Sequence, residues 1–433
     1  MKRILKFAVF FVTFLLFLSG CQKINGSDQK IPTISNLKIE QITQTPTENK
    51  ITNTPTEILL SNSLEKKLLS ACIKPKGEFS ALNFSYDLFT WKEGKYSIIN
   101  TVSKERTPIN FDAMGNWSSF DFSPDGQWLA YVTGDSSNTR YLVVEPSNNI
   151  INNSSQKRIT WKKYSWINLA GWLDNKQLIL TRKAEDHIFA PTVILDPFTG
   201  EEHNFFIEDY PEYRDLLDGS SFTPYLFTTS NLIPDPSLQR IIYPGKGGVG
   251  FLSTLNLFDL QSKKVIWNQV GYQRLLFNDP SWSLDGSDFV TWMDGFSWYQ
   301  VTRNGATRHL TNLENYLTHA AYSRISRSGD GRYLVFQMDY KLEEKIKPFV
   351  ENAHARYVVL DLKSEPLDGL CIDVAPDQDV DWHKPIWSPD SKYLAISNTD
   401  VHGIGDLYFL DIVNKQLVNF TKDAIALGWL VRP

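Results

Sequence analysis

The residues able to do chemistry in this sequence are scattered. Its seven histidines, His187, His203, His309, His319, His354, His383 and His402, form no His-x-His or His-x-x-x-His pair, and Cys72 and Cys371 lie far apart. No local zinc module is therefore spelled out, and no metal or other cofactor is expected. The glycine-rich "GKGGVG" (245–250) lacks the closing Lys-Ser/Thr of a phosphate loop, and no helical pattern follows it. Asp125, Asp285, Asp330 and Asp390 sit in tetrads such as Ser-Pro-Asp-Gly. There a carboxylate serves first as a hydrogen-bond acceptor for turn backbone, so these four are read as turn builders and no catalytic residue is assigned. Any site must come from residues distant in sequence, brought together by the elements that carry them.

Those elements repeat. "FDFSPDGQWLAYVTGD" (120–135) returns in altered form in "INLAGWLDNKQLILTRK" (167–183), "TTSNLIPDPSLQRIIYPG" (228–245), "DPSWSLDGSDFVTWM" (279–293), "SRISRSGDGRYLVFQMD" (323–339) and "KPIWSPDSKYLAISNTD" (384–400). In each, an apolar strand runs into a tight turn and out into a second apolar strand. A second hairpin follows, as in "TVILDPFTGEE" (192–202) and "LYFLDIVNKQLVNFT" (407–421). Period-two alternation and a four-strand unit recurring every roughly 40–60 residues predict an all-β β-propeller.

The six turns place blades at about 116–160, 166–207, 224–270, 279–311, 318–373 and 382–421. The C-terminal "AIALGWLVRP" matches the opening strand "INLAGWLD" of the second unit, and "EFSALNFSYDLFTWKEGKYSIINTV" (78–102) can supply three strands. A seventh blade shared by the two ends follows, since pairing them removes the exposed edges of an open array. The expectation is seven blades, with six as the alternative. "FSPDGQWLAYV" and its following hairpin resemble the repeat of TolB-type propeller proteins. The same style occurs in propellers attached to prolyl-oligopeptidase-like peptidases, but their Gly-x-Ser-x-Gly motif is missing here.

In such a ring the first strand of each blade runs beside the axis. The residues at or just before it are the candidate funnel: Asn116, Trp117, Trp166, Asn168, Asp279, His319, Trp382 and His383. Aromatic, amide, imidazole and carboxylate groups in one concave site suit a peptide, a sugar or a loop of another protein. Packing of the tryptophans between blades is the plainer reading.

The N-terminal "MKRILKFAVFFVTFLLFLSGCQ" has the basic, apolar and small-residue regions of a secretory signal, too short for a comfortable membrane span. "LSGC" resembles the lipobox of bacterial lipoproteins, which implies cleavage after residue 20 and lipidation of Cys21. Residues 21–75 are rich in Thr, Asn, Pro and Gln and are expected to form a disordered tether, with 76–433 as the propeller. In an exported chain Cys72 and Cys371 could form a disulfide; two separate buried thiols are the alternative. A net charge of −5 gives no basic field for nucleic acid. The resulting expectation is a lipid-anchored protein on the extracytoplasmic side of a bacterial membrane. It would bind another protein or a cell-envelope polymer, with an enzyme the lesser expectation. A hydrolase, lyase or carbohydrate-binding propeller using the funnel is the alternative.

Overall fold

The local reason for each inner hairpin is a hydroxyl–carboxylate relay. Ser123 Oγ accepts the Trp128 backbone N–H at 2.9 Å and donates to Asp125 Oδ1 at 2.6 Å. Ser328 and Asp330, and Ser388 and Asp390, repeat the arrangement. Gly126 occupies the left-handed position of its turn with φ of 69°, and Ser391 takes that position at φ 59°. In the third hairpin the two groups exchange places. Asp235 Oδ1 accepts the backbone N–H groups of Gln239 and Arg240 directly, and Ser237 Oγ donates to Asp235 Oδ2. In the second, Asp174 Oδ1 accepts the N–H groups of Lys176 and Gln177. The aspartates are turn builders throughout, as their tetrads predict.

The computed structural model describes residues 64–77, 85–109, 111, 120–134, 140–152, 154–161, 167–182, 191–206, 209–210, 232–244, 252–273, 281–293, 297–342, 356–374, 384–399 and 402–432. Cys21, Asn116, Trp117, Trp166, Asp279, Trp382 and His383 lie outside them, as do the expected signal segment and the expected tether up to residue 63.

Seven small sheets make up a seven-bladed β-propeller. Blade 1 runs through Phe120–Phe122, Trp128–Gly134, Arg140–Pro146 and Ile159–Trp161. Blade 2 begins at Ile167–Trp172, blade 3 at Ile233–Pro234, blade 4 at Ser281–Trp282, blade 5 at Leu317–Arg327 and blade 6 at Ile386–Trp387. Blade 7 is built from both ends of the domain. Ile425–Val431 pairs antiparallel with Tyr86–Lys92, placing Leu88 opposite Trp429, and Lys95–Asn100 and Arg106–Ile109 complete the sheet. Apolar clusters fill the spaces between blades. One joins Val290, Trp292 and Trp298 of blade 4 to Leu334, Phe336 and Val358 of blade 5.

A column of donors laces neighbouring inner strands. The indole N–H groups of Trp172, Trp282, Trp387 and Trp429 donate to the backbone carbonyls of Asp121, Ile233, Ser326 and Ile386, each on the preceding blade. Blade 5 has Arg327 at this position, and its guanidinium reaches the Ser281 carbonyl of blade 4 in the same way.

The N-terminal boundary departs from expectation. The tether was expected to reach residue 75, but Leu64–Ser70 is a helix and Cys72–Ile73 is a strand. Leu68 and Leu69 are fully buried against Val290, Trp292 and Leu313 between blades 4 and 5. The short strand pairs in parallel with Asp368–Ile372, so blade 5 has five strands. Farther on, the Lys76 N–H donates to the Leu417 carbonyl on blade 6. Residues 64–77 therefore form a belt along the rim. Isolated, a helix this short is not stable; the apolar gap between two blades supplies its stability. A disulfide links Cys72 to Cys371.

Candidate functional site

The inner strands do more than close the ring. Set in register on their turns, they place Asp121, Gly171, Ile233, Ser281, Ser326, Ile386 and Gly428 at one equivalent position, the residue before the donor column. All except Gly171 line an axial cavity of about 300 Å³. Three β-bulges set the phase of this lining: Ala170 in blade 2 and Leu427 in blade 7 are extra residues in their ladders, and in blade 5 Arg324 and Ile325 together stand opposite Phe336. Such insertions bend a strand and re-aim its side chains.

One end of the cavity is narrowed by the inner turns. A Cβ built on Gly126 would lie 2.7 Å from Pro389 Cγ, and one on Gly329 would lie 3.6 Å from the Pro124 carbonyl oxygen. The turns of blades 1, 5 and 6 thus meet across the axis. Lys384, at the start of the inner strand of blade 6, lines the cavity and is exposed.

The charged groups of the lining differ in what they are free to do. Arg327 is almost fully buried, and its guanidinium holds Asp288 Oδ1 at 2.7 Å and the Gly331 carbonyl at 3.0 Å in addition to the blade 4 carbonyl. It is committed to structure. Asp121 accepts the Trp172 backbone N–H on Oδ2 at 3.0 Å, and a Cβ on Gly171 would lie 2.8 Å from the same oxygen. Glycine at 171 is what allows the carboxylate this close to the next blade.

Burial pushes the Asp121 carboxyl above its ordinary 3.8, against the opposing pull of Lys384 and of the backbone N–H groups of Trp172 and Phe122. The folded state therefore binds more protons than the unfolded chain between 3.8 and the raised value. Stability falls as pH climbs through that interval and is level above it. Asp121→Asn keeps an acceptor for Trp172 and removes the charge. The variant is expected to gain on the wild type as pH rises, in urea unfolding at about pH 3.5 and about pH 7. A gap that is equal at both values would contradict this account.

Of the funnel residues named from sequence, two fall within the described inner strands. Asn168 is in Ile167–Trp172, half-buried, and lies outside the cavity lining; His319 is in Leu317–Arg327, paired with Lys341. Asp121, Arg327 and Lys384 were not singled out from sequence. Asp121 had a legible signal: it is the one acid in its column of the aligned repeats. Among the described residues, no group of three or more His, Cys, Asp or Glu side chains is arranged to hold a metal ion.

No family model matches the chain, and no curated protein matches its sequence. Among solved structures, it is similar to a periplasmic gluconolactonase from Pseudomonas aeruginosa, with TM-score 0.46 and 12% identity over 80% of this chain and 99% of that one. It is similar to TolB from Acinetobacter baumannii, with TM-score 0.37 and 12% identity over 77% and 78% of the two chains. An oligogalacturonate lyase in complex with manganese gives TM-score 0.43 and 11% identity over 81% and 86%. At these similarities the likenesses assign neither ligand nor reaction to this chain.

Proposed function

We propose that this protein is a lipid-anchored, extracytoplasmic propeller of TolB type that binds another protein or a cell-envelope polymer. The observation that carries the reading is the shape and chemistry of the axial cavity. It narrows at the inner turns, and its lining is mostly small or apolar with two charges of opposite sign, Asp121 and Lys384, beside the committed Arg327. Such a socket receives a projecting group and holds it. The Cys72–Cys371 disulfide is in keeping with an oxidising compartment. The basic, apolar and Leu-Ser-Gly-Cys pattern supports an anchor at Cys21.

The alternative is an enzyme or carbohydrate-binding propeller. It draws on Asp121, since carboxyls with raised pKa values in a cleft are enriched at reactive sites. Affinity capture with the full-length protein from solubilised membranes separates the readings. A stoichiometric protein partner that is retained by the wild type and lost with Lys384→Glu supports the scaffold. Turnover of a glycan or lactone, lost in folded Asp121→Asn, would replace it with the enzyme. Mass analysis of the mature N-terminus tests the anchor: an unmodified residue there removes that part of the reading.

A further inference from the structure

The belt is fastened beside a buried cation. Arg356 opens the third strand of blade 5, Arg356–Asp361, and is 7% exposed. Its Nη1 lies 2.8 Å from Cys72 Sγ and 3.9 Å from Cys371 Sγ, and it donates to the Leu69 carbonyl of the belt helix at 2.8 Å. Lys67 pairs with Asp368, Lys74 pairs with Asp373, and Glu65 Oε1 accepts the Asn312 N–H. A guanidinium this close to both sulfurs favours their thiolate forms.

We propose that Cys72–Cys371 is a redox-active disulfide, poised by Arg356 for reduction by a dithiol and coupled to release of the belt. Cys72 is partly exposed and Cys371 is fully buried, so Cys72 Sγ is taken as the sulfur attacked. The attacking thiolate bonds to Cys72 Sγ as the S–S bond breaks, and the electron pair leaves on Cys371 Sγ next to the guanidinium. The second thiol of the reductant, as thiolate, then attacks its own sulfur in the mixed disulfide and expels Cys72 as thiolate, 2.8 Å from Arg356 Nη1 before any movement. The reductant becomes a disulfide, two electrons pass to the protein, and each cysteine takes up a proton as its pKa and the solvent pH dictate. A leaving thiol of lowered pKa departs faster.

Without the bridge the belt is held by noncovalent contacts alone: Leu68 and Leu69 in the gap between blades, the Arg356 bond to the Leu69 carbonyl, the Glu65–Asn312 bond, the Lys76 N–H bond to the Leu417 carbonyl, a two-residue parallel pairing, the Asp373 N–H to Ile73 carbonyl bond and an exposed Lys67–Asp368 pair. Exposed pairs contribute little and so short a helix is unstable alone. Release would uncover Leu68, Leu69 and the edge of Asp368–Ile372.

The test uses the intact protein in graded dithiothreitol buffers. Free thiols are counted by alkylation and mass, and belt opening is read by trypsin cleavage at Lys66, Lys67 and Lys76. The wild type is expected to reduce without global unfolding and to be cut at the belt at least tenfold faster once reduced. Arg356→Met should need about tenfold stronger reducing conditions, about 30 mV for a two-electron couple, and Arg356→Lys should restore most of the difference. If the methionine variant does not fold, the wild type decides alone. The alkylation rate of the reduced protein against pH should titrate below the free-thiol value of about 8.5. Titration at or above that value, or a belt as well protected when reduced as when oxidised, overturns the proposal.

Discussion

Truncation after Asp423 is expected to abolish cooperative unfolding of the propeller, leaving a chain that melts broadly or is recovered insoluble. The deletion removes the inner strand of blade 7, Ile425–Val431. Ile425 and Leu430 are fully buried and Trp429 is 2% exposed. Burial of each side chain of this kind contributes about 1.5–3 kcal/mol, so the three together approach the net stability of a typical domain, about 5–15 kcal/mol. The Trp429 indole bond to the Ile386 carbonyl goes as well, as does the Arg432–Asp87 pair at 2.7 Å. What is left is an open array with Tyr86–Lys92 as an uncovered edge, which invites intermolecular pairing. Near-UV circular dichroism melts and gel filtration report the outcome. A truncated chain with a single transition at the wild-type temperature would show that the ring does not depend on this strand.

Gly428→Ala should cost about 1–3 kcal/mol, a large effect for one methyl group on the overpacking scale. An ideal Cβ at residue 428 would fall 2.1 Å from Phe122 Cδ2, far inside contact distance. The ring has little room to retreat, because Phe122 packs edge-on against Phe89 with centroids 5.5 Å apart and Phe120 lies behind it at 6.3 Å. At this boundary between blades 7 and 1, Phe122 stands in the column that carries a donor in five other blades, Pro234 of blade 3 being the other exception, and here close packing replaces the hydrogen bond. Denaturant unfolding of Gly428→Ala, Phe122→Ala and the double variant measures the coupling. The double variant should lose clearly less than the two single losses added together; strict additivity would mean that the two residues do not meet.

The blades were legible because their information is local. Serine, proline, aspartate and glycine at fixed turn positions act within a few residues, and even the exchanged Asp235–Ser237 pair builds the same hairpin. The shared blade was legible because "IALGWLV" repeats "INLAGWLD" while no other unit lacked an opening strand. The belt was not legible. Leu64, Leu68 and Leu69 give a faint apolar stripe in a segment that borders a Thr/Asn-rich stretch, and what fixes the helix is a gap between two blades that exists only after the ring forms. The site was half legible. Most of the funnel residues expected from sequence lie outside the described residues, and the described lining draws on a position nearer the turns. Bulges at Ala170 and Leu427 shift the phase of the pleat, and one residue of shift exchanges axis-facing for buried side chains. Stacking the repeats by their turns would have exposed Asp121 among glycine, serine and isoleucine, and Arg327 among tryptophans.

The placement of the belt also decides how the domain bears tension. The described chain begins on the rim at Leu64, before the covalent link at Cys72, and only later reaches Tyr86 in the closing sheet. A pull transmitted through the preceding residues is taken up by the helix and then by the sulfur bridge, which hands it to Asp368–Ile372, the fourth strand of blade 5. The Tyr86–Lys92 seam sits downstream of that anchor, so load passed through the belt meets the sulfur bridge before it meets the seam that closes the ring.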